Sequence, residues 1–118
     1  MPSLFENPHA GNFILTEAAG RLSYDNITIA KGAGVLQPGT VLGKKDDGTY
    51  VPRVKAAADA SKTACAILNG RVDATDAAAP AVAVTGLAEV YASGLIWQEG
   101  DDQPSGLAEL RSLFIKAR

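Results

Sequence analysis

Val35-Leu36-Gln37-Pro38-Gly39-Thr40-Val41-Leu42-Gly43 is followed, after Lys44-Lys45, by Asp46-Asp47-Gly48-Thr49-Tyr50-Val51-Pro52. The stretch reads as three short apolar strands joined by two turns. Pro38 presets φ for the first corner of a turn, and Gly39 tolerates the positive φ that the next corner often needs. Asp47-Gly48 suits a tight hairpin, because both residue types accept the left-handed region. Pro52 lacks an amide donor and belongs at a strand end or edge.

Upstream, residues 24–30 alternate, with Ile27 and Ile29 on one side and Asn26 and Thr28 on the other, as in a half-buried strand. Gly32 and Gly34 open the corner that follows. Downstream, residues 56–61 form a short helical turn or loop, and residues 63–68 form a compact apolar run closed by Asn69-Gly70, which suits a buried strand. Residues 74–80 read as an alanine- and aspartate-rich loop. Strands follow at residues 81–84 and 88–91, then an apolar patch at Leu95-Ile96-Trp97 and a polar turn at 98–105. One helix is predicted, from Pro104 or Ser105 to Arg111, with Ser105 or Asp102 as N-cap. Leu107 and Leu110 share its apolar face, with Glu109 and Arg111 outside. Leu113-Phe114-Ile115 reads as a closing strand. The fold class is therefore mainly β with one short C-terminal helix, in a single domain over residues 13–118. Residues 1–12 carry two prolines, a glycine and the lone histidine without periodicity, and read as an extended or mobile arm.

Composition narrows the function. Aromatic residues make up 6% of the 118 residues, so the core is thin and aliphatic, and oligomerisation would add buried area. A net charge of −2, with no basic run longer than Lys44-Lys45, argues against a nucleic-acid partner. No apolar run approaches the roughly 20 residues of a membrane span, and no secretory signal is present at the N-terminus. Cys65 has no second cysteine to pair with. The chain reads as soluble and made in a reducing cytoplasm.

Chemistry-bearing residues are sparse. His9 lies in the arm with no second histidine or suitable cysteine to complete a ligand set. Cys65, between Ala64 and Ala66, reads as a small buried hydrophobe without the basic neighbour that activation needs. Asp73, Asp76 and the pair Asp101-Asp102 lack the spacing of a calcium loop and read as solvated loop charge. Lys31-Gly32-Ala33-Gly34 lacks the ending of a phosphate loop. No catalytic residue, metal ligand or cofactor site is assigned, and an enzyme is not expected. A rival class is a small barrel-like module binding a sugar or small molecule in a concave apolar pocket.

Several segments, taken in order, resemble the lambda-type head decoration proteins of tailed bacteriophages. They are residues 13–17, 25–30, 36–43 and 48–52, then 64–68, Val72-Asp73-Ala74, 81–84, Glu89-Val90 and Leu95-Ile96-Trp97 before the helix. Order and spacing carry the likeness, which spans residues 13–118. It implies a bent ribbon of β-clip type, or incomplete barrel. It also implies a homotrimer on the outer surface of an expanded virion capsid, at local three-fold positions. There it would bind the major capsid protein and stabilise the shell against internal DNA pressure. Within that picture the arm is the capsid contact. Leu4 and Phe5 are its apolar anchors, and Phe13, Ile14, Leu15 and Thr16 can add as a strand to a capsid sheet edge. Twelve extended residues reach on the order of 40 Å. Tyr91 and Trp97 are the candidates for the trimer interface, on the enrichment of aromatics at interfaces.

Overall fold

The computed structural model describes residues 14–17, 23–99 and 101–118. Its elements are β1 (Ile14–Glu17), β2 (Tyr24–Ile29), β3 (Gly34–Leu36), β4 (Val41–Lys44), β5 (Tyr50–Pro52), β6 (Ala64–Leu68), β7 (Val72–Ala74), β8 (Ala79–Val84), β9 (Ala88–Val90), α1 (Gln103–Arg111) and β10 (Ile115–Ala117). Short 3-10 turns at Ala60–Lys62 and Ala92–Gly94 punctuate the strands. The chain is thus mainly β with one short C-terminal helix, the class its sequence predicts.

Both turns of the opening stretch form as their residues dictate. Gly39 takes φ +97°, and Thr40 N donates to the Gln37 carbonyl across Pro38-Gly39 at 3.3 Å, the arrangement of a type II turn. Gly48 takes φ +92° between β4 and β5, and Asp47 Oδ1 accepts from the Thr49 amide at 2.9 Å. That turn fixes the register Leu42↔Pro52, Gly43↔Val51, Lys44↔Tyr50.

Five strands follow one another around a ring in the order β2-β5-β4-β6-β8, and β8 returns to β2. The β2–β8 seam is long, from Tyr24↔Val84 to Ile29↔Ala79, whereas β2 meets β5 through the single pair Ile29↔Tyr50. Two smaller sheets flank the ring: the pair β3–β7, and the three-stranded sheet β1-β9-β10. Of the ring strands, β4 and β6 bury both faces along most of their length, which explains their near-continuous apolar sequences, whereas β2 alternates. Leu42, Ala66, Leu68 and Ala83 pack with Ile27, Ile29 and the β3–β7 pair. Their neighbours Val41, Ile67 and Val84 pack with β9, β10 and Leu110 of α1.

Three local readings are corrected, and one choice between alternatives is resolved. Residues 79 and 80 are strand rather than loop: Pro80 sits in β8 opposite Thr28, where β6 has not yet joined, so its missing amide leaves no ladder bond unmade. The helix cap is Asp102, in extended conformation, whose carboxylate accepts from Ser105 N; Pro104 then falls in the first turn, where an amide has no partner anyway. The closing strand begins at Ile115, because Leu113 and Phe114 still turn off the helix, Phe114 with φ +63°. Glu109 points inward, for the reason given next.

Candidate functional site

Arg53 is the most consequential side chain that sequence reasoning passed over. It follows β5, is 1% exposed, and uses all five of its N–H donors. Nε donates to the Lys62 carbonyl at 2.9 Å, on the 3-10 turn before β6. Nη1 donates to Asp101 Oδ1 at 3.1 Å and to the Asp102 carbonyl at 2.8 Å. Nη2 donates to Ser105 Oγ and Glu109 Oε1, both at 2.9 Å. Glu109 Oε1 also accepts from the Ala64 amide at the start of β6. One guanidinium thereby ties β5, β6 and α1 together. Asp101 is not solvated loop charge: its side chain is fully buried against Arg53. Asp102 caps the helix while Lys55 Nζ lies 2.8 Å from its other oxygen, and these contacts, Lys55 first, hold its carboxyl below the usual range. Trp97 closes this corner, its ring so near Gly106 that a Cβ there would sit 2.3 Å from it.

The sheet β1-β9-β10 joins the two ends of the described chain. β9 lies antiparallel to β1 and parallel to β10, with Ile14, Val90 and Ala117 in one row. Register shifts between Ile14 and Thr16, as at a β-bulge around Leu15. Ile14 and Leu15 are half-buried, and Ile14 packs on the core. Thr16 stands opposite Glu89 in the ladder. Leu4, Phe5, Phe13 and His9 lie outside the described residues. Within the sheet order, β1 and β10 are its edges. Arg118 pairs with Glu89 beside this sheet.

Large apolar side chains are exposed around that sheet. Tyr91 (47%) follows β9, and Leu87 (47%) and Phe114 (74%) precede β9 and β10. Leu87 and Phe114 both hold left-handed backbone, at φ +55° and +63°. Their turns interlock. Ala88 N donates to the Phe114 carbonyl at 3.1 Å, Ser23 Oγ to the Leu87 carbonyl at 2.9 Å, and a Cβ at Gly86 would approach the Leu113 carbonyl to 3.0 Å. Bulky residues with positive φ are strained, and such strain gathers at functional surfaces.

Reactive chemistry is not gathered anywhere among the described residues. Burial pushes the Cys65 thiol up, the reverse of activation. Asp73 is exposed and bonds the Thr75 amide and hydroxyl, which hold its carboxyl low. Among the described residues no three potential metal ligands cluster, and no helix is long and apolar enough to cross a membrane.

A sequence model of a protein family, described as bacteriophage lambda head decoration protein D, matches residues 3–115. The chain belongs to that family. No curated protein sequence matches it significantly. Membership makes this a structural component of the phage capsid, and displaces the small-molecule module as a reading. In this head decoration protein Leu87, Tyr91 and Phe114 gather beside the sheet that joins the two ends of the described chain, while Val35 and Ile96 are exposed elsewhere. Of the residues expected at an interface, Tyr91 is on that sheet's rim, whereas part of the Trp97 ring is spent on Gly106 inside the chain. The exposure of Phe114 and Leu87 carried no sequence signal: Phe114 sits in the apolar run Leu113-Phe114-Ile115, and Leu87 is a lone apolar residue beside a turn, so both read as core.

Proposed function

We propose that the protein binds the outer surface of the expanded phage head as a homotrimer at local three-fold sites. There it clamps neighbouring major capsid subunits against internal DNA pressure, through an N-terminal arm of residues 1–12. The family match carries this reading, since it begins at residue 3 and takes in the arm as well as the folded part. Two features support it. Among the described residues β1 is an edge strand, and it begins two positions after the arm, a placement that suits an arm adding to another sheet edge. The rim side chains Tyr91, Leu87 and Phe114 offer apolar area for contacts between copies or with the shell.

Ordering an arm costs about 1–2 kcal/mol per residue in backbone entropy. Three arms on one trimer offset this, because linked contacts raise avidity by about 10²–10⁴ over one contact. Removing residues 1–12 is therefore expected to weaken binding to expanded, undecorated heads by about 100-fold or more. Imaging heads mixed with each protein reads this as density at the three-fold sites. An arm-deleted protein that still saturates heads at the full-length concentration would sink the clamp. A further expectation is that light scattering returns three times the chain mass for the free protein at micromolar concentration; a stable monomer there would remove the trimer.

A further inference from the structure

We infer that Phe114 of one copy seats in the groove between α1 and β10 of the next, so that three copies close as a ring. Phe114 is 74% exposed and holds φ +63°. A glycine there would spare the fold both the left-handed strain and the wetted ring. A ring so exposed recovers little of that cost within its own chain, so its compensation lies in another molecule. Leu87 stands beside it, one step before the parallel pair Ile115↔Ala88, and is likewise exposed at φ +55°. Together they make an apolar knob on two turns joined by the bond from Ala88 N to the Phe114 carbonyl, fixed before any partner arrives.

The chain carries a matching hole. The groove, of about 320 Å³, is lined by Ala92, Leu107, Ala108, Arg111, Lys116 and Ala117. A cavity of about 150 Å³ already holds a benzene ring, so a phenyl group fits. Arg111 and Lys116 are exposed, and neither forms an ion pair among the described residues. Cations without carboxylates suit the face of an aromatic ring, which attracts them within about 6 Å. Phe114 does not line the groove of its own chain. Knob and hole are unlike surfaces, so their contact is heterologous, and it closes into a ring or runs on as a filament. Placement favours closure. Phe114 lies three residues after Arg111 and two before Lys116, at most about 11 Å from either along the chain. Patches that adjoin turn successive copies sharply about one another, and a sharp turn closes in few steps. The inference rests on the homotrimer proposed above and names its contact; it asks nothing of residues 1–12.

Replacing Phe114 by the photoreactive analogue p-benzoylphenylalanine tests it in the full-length protein. Illumination of the free protein is expected to join chains covalently, with peptide mapping placing the new bonds at Leu107, Ala108, Arg111 or Ala117 of a second copy. Bonds between copies elsewhere, or none between copies, overturn the proposal. Illumination on expanded heads is expected to give the same bonds; bonds to the capsid protein in their place make the shell the occupant and overturn it too. Sedimentation at micromolar concentration is the second measurement. Phe114→Gly is expected to weaken each contact by about 30-fold or more, as for a buried aromatic hot spot, and to sediment as single chains. Glycine eases the backbone at this position, so its far-UV spectrum is expected to stay that of the folded chain. Arg111→Glu with Lys116→Glu is expected to dissociate as well, the rim then repelling the ring face. Trimers that persist in Phe114→Gly overturn this contact and leave the trimer standing, whereas a wild type that stays monomeric removes both.

Discussion

Arg53→Ala is expected to destabilise the fold by about 3–5 kcal/mol, the penalty for stripping one partner from a buried ion pair. The substitution removes all five guanidinium bonds at once. It leaves Asp101, fully buried, with no cation and with one carboxylate oxygen that already lacks a hydrogen-bond partner. Glu109 keeps its bond from the Ala64 amide but loses its counter-charge. Urea unfolding measures this. At a slope of about 1–3 kcal/mol per molar, the midpoint falls by more than about 1 M. Arg53→Lys keeps the charge but supplies three donors from a point rather than five from a planar fork, so it is expected to rescue only part of the loss. Arg53→Met combined with Asp101→Asn and Glu109→Gln should recover stability relative to Arg53→Met alone, because the charges left bare are removed too. A loss below about 1 kcal/mol for Arg53→Ala would place the cluster among ordinary surface ion pairs.

Gly43→Ala is expected to be nearly as damaging, for a steric reason. Gly43 lies in β4 opposite Val51, under the 3-10 turn Ala60–Lys62. A Cβ there would fall 2.0 Å from the Ser61 carbonyl oxygen and 2.7 Å from its carbon. Both are backbone atoms in a turn pinned on each side. Asp59 bonds Ser61 through its carboxylate, and the Lys62 carbonyl accepts from Arg53 Nε. Relief requires the turn to lift from the ring, so the cost lies at or above the top of the usual overpacking range of about 1–3 kcal/mol. Thermal unfolding of Gly43→Ala beside Arg53→Ala checks this. The double variant should lose less than the sum of the singles, because a turn already lifted has lost the Lys62 bond.

How legible the molecule was depends on the range of the interaction. Pro38-Gly39 and Asp47-Gly48 announced their turns because the backbone preference resides in the turn residues themselves. The alternation of Ile27 and Ile29 announced β2, and Leu107 with Leu110 announced the helix face. Arg53 was invisible because its acidic partners lie 48 and 56 residues away, and Val51-Pro52-Arg53-Val54 reads as a strand end with a surface charge. Seen alone, Glu109 belongs outside the helix and Asp101 in solvent; a distant cation reverses both. Leu87 and Phe114 resisted for another reason. Positive φ in bulky residues has no local signature, and the glycine beside Leu87 is there for close approach to Leu113 rather than for its own φ. Tyr91 was legible as an aromatic at a strand end, whereas the gathering of Leu87 and Phe114 beside it follows from β9 and β10 lying in one sheet.

Placing both ends of the described chain on β9 gives the domain a mechanical grain. On the clamp proposed above, an arm gripped by the expanded shell would load the sheet at Ile14, the start of β1. The bonds joining β1 to β9 would then bear the tension together, in shear, instead of parting one after another as in a zipper. β9 passes the tension sideways to β10, and β10 continues back into α1, which Arg53 fastens to the ring. A pull applied at Ile14 would thus meet the sheet in its strongest direction first.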